Sequence, residues 1–264
     1  MQIDLTGRTA LVTGSTQGIG LAIAKGLASA GARVGVNGRS QESVDRGIEE
    51  LRAELPDAEL VDVVADVATE QGADRVHTVL PQIDILVNNL GIFEPRPALE
   101  IGDDEWRRYF EVNVLSGVRL TRECLPGMIG RGWGRVLFIA SDSAVAIPAE
   151  MIHYGTSKTA LLGVSRGFAK AASGSGVTVN SVIAGPTHTG GVRDFVYQLV
   201  DESLPWEEAQ REFMREHRPQ SLLERLIEPE EIAHMVTYLS SPLASATTGG
   251  AVRVDGGYVD SVLP

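Results

Sequence analysis

The 264-residue chain predicts an α/β fold, a single doubly wound parallel sheet with helices on both faces. Three observations lead there. Strand-like and helix-like runs alternate from one end to the other, which is how a parallel sheet is covered on both sides. A glycine-rich turn joins the first strand-like run to the first helical one. Hydrophobic residues make up 43% and charged residues 22% of the chain, ordinary usage for one domain with a large core. No linker, internal repeat or low-complexity tract interrupts the alternation.

The first strand is expected over Thr9–Thr13, around the apolar run Ala10-Leu11-Val12. Thr13-Gly14-Ser15-Thr16-Gln17-Gly18-Ile19-Gly20 follows it, and the apolar, Ala-rich stretch Gly18–Ala30 reads as a helix. Further strand-length apolar runs are Arg33–Asn37, Leu60–Ala65, Ile83–Asn88, Arg135–Ala140, Val177–Ile183 and Ala251–Val254. Longer helical patterns separate them at Gln41–Glu54, Glu70–Leu80, Asp103–Ile129, Tyr154–Ala172 and Pro229–Leu239. Between Thr187 and Leu226 lies an insertion with apolar groups at helical spacing: Val192, Phe195, Val196, Leu199 and Val200, then Trp206, then Phe213 and Met214. Asp201, Glu202, Glu207, Glu208, Glu212 and Glu216 make the stretch acidic. Connections this long in a compact domain are functional or disordered more often than idle.

Chemistry is legible in two places. The turn from Gly14 to Gly20 sits between a strand and a helix N-terminus. Such a turn presents backbone N–H groups and a positive dipole end to an anion, typically a phosphate. Its spacing is G-x-x-x-G-x-G rather than the commoner G-x-G-x-x-G. Tyr154 and Lys158 stand four apart, so a helix puts both on one face. A cation beside a phenol favours the phenolate, which suits a tyrosine that trades protons. The chain has only three lysines, Lys25, Lys158 and Lys170.

Composition excludes several classes. A net charge of −12 argues against binding a nucleic acid backbone. Cys124 is the only cysteine, so no internal disulfide forms, and it reads as a small buried hydrophobe. The opening Met1-Gln2-Ile3-Asp4 has neither a basic nor an apolar leader region, and no apolar stretch approaches membrane length. A soluble cytoplasmic protein is expected. The five histidines show no ligand spacing, so no metal site is expected.

These pieces resemble the short-chain dehydrogenase/reductase family along essentially the whole chain. In the family's order come the Thr13–Gly20 turn, Asn88-Asn89-Leu90-Gly91, Asn113, Ser141, Tyr154 with Lys158, Gly185-Pro186-Thr187 and a closing Arg253-Val254-Asp255-Gly256-Gly257. The resemblance implies a Rossmann fold of seven strands in the order 3-2-1-4-5-6-7. It also implies hydride transfer between a nicotinamide cofactor and a ketone or secondary alcohol.

The same resemblance assigns roles. Tyr154 becomes the general acid, or base in the oxidative direction. Ser141 becomes its partner on the carbonyl oxygen, with Ser143 a competitor two residues on. Lys158 lowers the tyrosine pKa and holds the nicotinamide ribose, and Asn113 anchors a proton-relay water. Cofactor contacts fall on Gly14, Ser15, Thr16, Gln17, Gly18, Ile19 and Gly20, then Asn37, Arg39 and Ser40. Asp66 and Val67 flank the adenine, Asn89, Leu90 and Gly91 follow the fourth strand, and Pro186, Thr187 and Thr189 reach the nicotinamide end. Gly38 stands where NAD-preferring relatives carry an acid, and Arg39 follows, so NADP(H) is preferred and NAD(H) possible.

Residues 187–226 match the family's substrate lid, or else form an interface helix. Candidate pocket residues are Phe93, Asp142, Ile147, Met151, His153 and His188. The family also implies a homotetramer. Val112, Leu115, Val118 and Leu120 on one helix, with Leu161, Val164, Phe168 and Ala171 on another, would supply the interface. The named alternative is a 3-oxoacyl carrier protein reductase, although Gly132 and Ser175 stand near where such reductases carry arginine, with Arg131 adjacent. Two remote rivals are an α/β-hydrolase using Ser165 in Gly163-Val164-Ser165-Arg166-Gly167 and a non-catalytic protein on the same fold.

Overall fold

Parallel strands need crossovers, and here almost every crossover is a helix. The structure, a computed structural model, describes residues 2–262, so Met1 of the opening tetrapeptide lies outside the described residues. The elements run β1 (Thr9–Val12), α1 (Gly18–Ser29), β2 (Arg33–Gly38), α2 (Gln41–Glu54), β3 (Leu60–Val64), α3 (Glu70–Val79) and β4 (Ile85–Asn88). After them come α4 (Asp103–Phe110), α5 (Ser116–Arg131), β5 (Gly134–Ser141), α6 (Ile152–Ala171), β6 (Val177–Ala184), α7 (Gly190–Tyr197), α8 (Trp206–His217), α9 (Pro229–Leu239) and β7 (Ala251–Val254). All pairings are parallel, in the order β3-β2-β1-β4-β5-β6-β7. The order reverses between β1 and β4, which opens a crevice at their carboxyl ends.

Two apolar layers clamp the sheet. On one face Leu21, Ile23 and Leu27 of α1 meet Ile232 and Val236 of α9. On the other, Val76 of α3, Leu120 of α5 and Leu161 of α6 pack on Phe138 and Val179. Every residue of β5 and β6 is buried, which is why both read as near-continuous apolar runs. Each large side chain so buried contributes about 1.5–3 kcal/mol. At Gly26 a Cβ would fall 2.7 Å from Thr237 Oγ1, so a bare backbone there lets α1 approach α9 closely.

Two features depart from the expected elements. The single helix over Asp103–Ile129 is instead α4 and α5, joined by a π-helical turn at Glu111–Leu115. Widened turns of this kind cluster at functional sites, and this one carries Asn113. Secondly, residues between β6 and α9 build a small core of their own from Phe195, Val196, Ala209, Phe213, Met214 and Leu226, tied to the body through Met151. Both ends of this excursion meet at one place: Ile227 N donates to Pro186 O (2.8 Å) and His188 N to Ile227 O (2.8 Å). Among the described residues no helix is long and apolar enough to cross a membrane.

Candidate active site

The glycine-rich turn is held open by its neighbours. Gly14 and Gly18 have φ of +61° and +55°, values that favour glycine. A Cβ on Gly20 would lie 2.3 Å from Gly14 O and 2.6 Å from Asn89 Nδ2, so only hydrogen fits there. Asn89 Nδ2 donates to Thr13 O (2.9 Å) and Gly14 O (3.1 Å), and Thr13 Oγ1 accepts from the Asn89 and Leu90 amides. Gln17 is the N-cap of α1, yet no side chain caps this end and no acid lies in the first turn. The first-turn amides and the positive dipole end therefore face the cleft, a cradle suited to a diphosphate.

Several expected cofactor residues also brace the scaffold. Ser15 Oγ donates to Val12 O (2.7 Å) and accepts from Asn37 N (2.9 Å). Asn37 Oδ1 accepts from Gly14 N, and its Nδ2 donates to Val63 O and Ala65 O, tying β1, β2 and β3 together. Thr16 packs on Gly38, where a Cβ would come 2.7 Å from Thr16 Cγ2 and 2.9 Å from Ser43 Oγ. A side chain at 38 would have to displace the Thr16 methyl and the Ser43 hydroxyl. Ser40 caps α2 by accepting from Ser43 N (3.3 Å). Asp66 Oδ1 accepts from Ala68 N (3.1 Å). The Val67 side chain is buried in the core, so any contact with an adenine must come from its backbone. Arg39 is exposed at the end of β2.

Ser141, Tyr154 and Lys158 meet at the carboxyl end of β5. Ser141 is the last residue of that strand, and α6 delivers the other two from one face. Ser141 Oγ donates to Asp142 Oδ1 (2.8 Å) and accepts from Ser143 N (3.2 Å). Burial pushes the Tyr154 phenol well above its ordinary value; a hydrogen bond with Ser141 pulls it partly back, while Asp142 and Tyr109 add to the rise. Lys158, expected to lower that pKa, is not among the groups that act on the phenol here. Lys158 Nζ donates instead to Ile139 O (2.9 Å) and lies 5.8 Å from the centre of the Tyr154 ring. Its own pKa falls from 10.5 to about 8 because it is buried.

Asn113 turns inward from the π-helical turn. Its Oδ1 accepts from Ile92 N (2.8 Å), and its Nδ2 donates to Ile92 O (3.0 Å) and Ser157 Oγ (2.9 Å). A Cβ at Gly91 would stand 3.1 Å from Lys158 Nζ and 3.6 Å from Asn113 Oδ1, so both groups flank this glycine.

One cleft of about 350 Å³ runs from the glycine-rich turn to Ser141, Tyr154 and Lys158; Asn113, Ser15, Thr16, Asn37, Arg39, Ser40, Asp66, Val67 and Leu90 do not line it. Gly14, Gln17, Gly18, Ile19, Gly20, Asn89 and Gly91 line one part; Ser141, Tyr154, Lys158, Pro186, Thr187 and Thr189 line the rest. Thr189, the N-cap of α7, leans across it, and a Cβ at Gly18 would meet its Cγ2 at 3.2 Å. Of the candidate pocket residues, Phe93, Asp142 and Met151 line the cleft, and Ile147, His153 and His188 do not. His153 is fully buried against Tyr109, with ring centres 4.0 Å apart. His188 stacks on Trp206 beside Glu228. Ile147 is exposed. Arg218, just past α8, lines the cleft and was not anticipated; no spacing relates it to the catalytic pair.

The family model described as enoyl-(acyl carrier protein) reductase matches residues 14–259. The chain belongs to the short-chain dehydrogenase/reductase family. It is 52% identical to the uncharacterised oxidoreductase YvaG of Bacillus subtilis over 264 residues, all of both chains. It is 32% identical to the 3-oxoacyl-[acyl-carrier-protein] reductase FabG of Aquifex aeolicus, covering 97% of this chain and 99% of the relative. Among solved structures, L-sorbose reductase of Gluconobacter frateurii, complexed with NADPH and L-sorbose, superposes with a TM-score of 0.92 at 31% identity, covering 99% of this chain and all of the other. The protein is thus an NAD(P)-dependent oxidoreductase of the CH–OH/C=O class. The G-x-S-x-G run fits this reading: Ser165 is buried in the middle of α6, not on the strand-to-helix turn a hydrolase elbow requires. Cys124 is buried, its thiol pushed up to about 12, and does not line the cleft.

Proposed function

We propose that this reductase interconverts a small ketone and its secondary alcohol with NADP(H), using Tyr154 as general acid and base. The observation that carries the reading is the convergence of Ser141, Tyr154 and Lys158 on the cleft that the glycine-rich turn also lines. A bound nicotinamide cofactor would supply or accept the hydride. Charge then grows on the carbonyl oxygen, and Tyr154 donates its proton there while Ser141 hydrogen-bonds the same atom. Lys158 steadies the ribose and exchanges protons near its pKa of about 8. Asn113 holds the Ile92 loop and Ser157 in place beside Lys158. Gln17 to Gly20 take the diphosphate, Asn89 to Gly91 back the ribose, and Pro186, Thr187 and Thr189 face the nicotinamide. Residues 187–226 act as the substrate lid, an excursion closed at its base by the Pro186–Ile227 contacts. The carrier-protein alternative gains little support, because Arg131 is already spent on Asp84 and Ile83 O.

Cofactor preference rests on Arg39, an exposed fork beside Gly38, which places no carboxylate at the end of β2. A charge-assisted contact to a 2′-phosphate contributes about 1.5–3 kcal/mol. Arg39→Ala therefore weakens NADPH binding by about tenfold or more and leaves NADH binding nearly unchanged. Fluorescence titration of both cofactors checks this. Equal losses, or a wild-type preference for NADH, would refute it.

The assembly we propose is a homotetramer with two-fold interfaces on α5 and α6. Leu120 and Leu161 belong to the inner face, while Leu115 (41% exposed) and Ala171 face outward. Val112, Val118, Val164 and Phe168 are half-buried and can be shared with a neighbour. Light scattering at micromolar concentration should give four times the mass of the chain, and a monomeric mass removes the proposal.

A further inference from the structure

Resting on the carbonyl-reductase reading above, we propose that Arg218 selects substrates that carry a carboxylate a few bonds from the reacting carbonyl. Arg218 lines the cleft that holds Ser141, Asp142 and Tyr154. Its guanidinium is half-buried, 5.3 Å from the centre of the Phe213 ring and 5.7 Å from that of Tyr258. One of its five N–H donors is used, by Nη1 to His217 O at 2.7 Å. Among the described residues no carboxylate lies within ion-pair distance of it. In the same segment Arg215 pairs with Glu216 and Arg225 with Glu231, while Arg193 and Arg211, like Arg218, have no ion pair among the described residues; of these three only Arg218 lines the cleft.

What sets Arg218 apart is its place: it lines the cleft between two aromatic rings, with no carboxylate bonded to it. A cation partly withdrawn from water, with open donors aimed into a cleft, is a fork for a planar anion. The Arg218 charge does reach the buried Asp142 carboxyl and favours its ionised form, but the two make no ion pair, and Asp142 Oδ1 accepts instead from Ser141 Oγ, Ser143 N and Ser143 Oγ. Phe93, Met151 and Phe213 line the same space and suit the carbon chain between the two polar ends of the substrate. Glycine-rich turn and Arg218 lie on different elements, so a diphosphate and a substrate carboxylate do not compete for one site.

The test compares matched oxo acids and neutral ketones with NADPH: 5-oxohexanoate against 2-hexanone, and 5-oxogluconate against L-sorbose, which differ at the far end of the chain. Wild type should prefer the acid of at least one pair by about tenfold or more in kcat/KM. Arg218→Gln should erase that preference through KM and leave the neutral partner within about threefold. Arg218→Lys should keep part of it, because the charge remains while the fork is lost. Preference for the neutral ketones, or equal losses for both members of a pair in Arg218→Gln, overturns the proposal and makes Arg218 a clamp on the segment or a counter-charge for Asp142. No turnover of any oxo acid also overturns it. Tyr154→Phe separates the two readings: if that variant turns over carbonyls as wild type does, the fault lies with the general acid and not with Arg218.

Discussion

Replacing Tyr154 with phenylalanine should lower kcat by about a thousandfold while NADPH affinity changes less than about twofold. The substitution removes one oxygen and one proton. The ring stays, with its packing against Phe93 at 6.0 Å between centres. In the proposed mechanism, what is lost is the proton that the protein hands to the developing alkoxide. Because burial holds the phenol above its ordinary value, Tyr154 is protonated throughout the neutral range. The reductive rate should therefore be flat near neutrality, and the oxidative rate, which needs the phenolate, should climb with pH. Stopped-flow rates with saturating cofactor and a fluorescence titration of binding measure the two quantities separately. Retained turnover within about tenfold of wild type would remove Tyr154 from the proton transfer.

Much of this site was legible because it rests on local rules. The i,i+4 spacing of Tyr154 and Lys158 holds on any helix, and the strand-turn-helix reading of Thr9–Ala30 needs only periodicity and glycine. Strand ends shifted by a residue or two, as with β5, which takes in Gly134 and Ser141. What stayed hidden depends on three-dimensional placement. Nothing in the run around Asn113 distinguishes a π-helical turn from a regular helix, since the difference is one of backbone i→i+5 bonding, and the inward bonds of Asn113 to Ile92 and Ser157 reach elements far off in sequence. His153 adjoins Tyr154 in sequence, yet on a helix adjacent residues point about 100° apart, which sends it into Tyr109 and away from the cleft. Thr16 and Ser43 close on Gly38 from elements the sequence does not place beside it. Arg218 comes from a segment remote in sequence, folded over by the Phe195–Phe213 core, so no motif could point to it.

Lys158→Met should cost at least about a hundredfold in kcat/KM and should also change how stability depends on pH. The ammonium sits beside Gly91 and bonds Ile139 O, buried with no carboxylate bonded to it. Its pKa drops from 10.5 to about 8, so between those values the unfolded chain holds a proton that the folded chain has released. Stability must then rise with pH across that window, because the unfolded state binds more protons. The full effect is about 3 kcal/mol, of which roughly 2 kcal/mol falls between pH 7.5 and 9.5. Tyr154 acts in the opposite sense, but its unfolded counterpart ionises only near pH 10, at the upper edge of the window. Urea denaturation of wild type and Lys158→Met at the two pH values isolates the lysine, since every other group is common to both. Wild type should gain about 2 kcal/mol relative to the variant on going from the lower pH to the higher. An identical pH dependence in the two proteins would mean that Lys158 keeps an ordinary pKa in the fold. Its placement as a buried proton-exchanging group at Tyr154 would then be wrong.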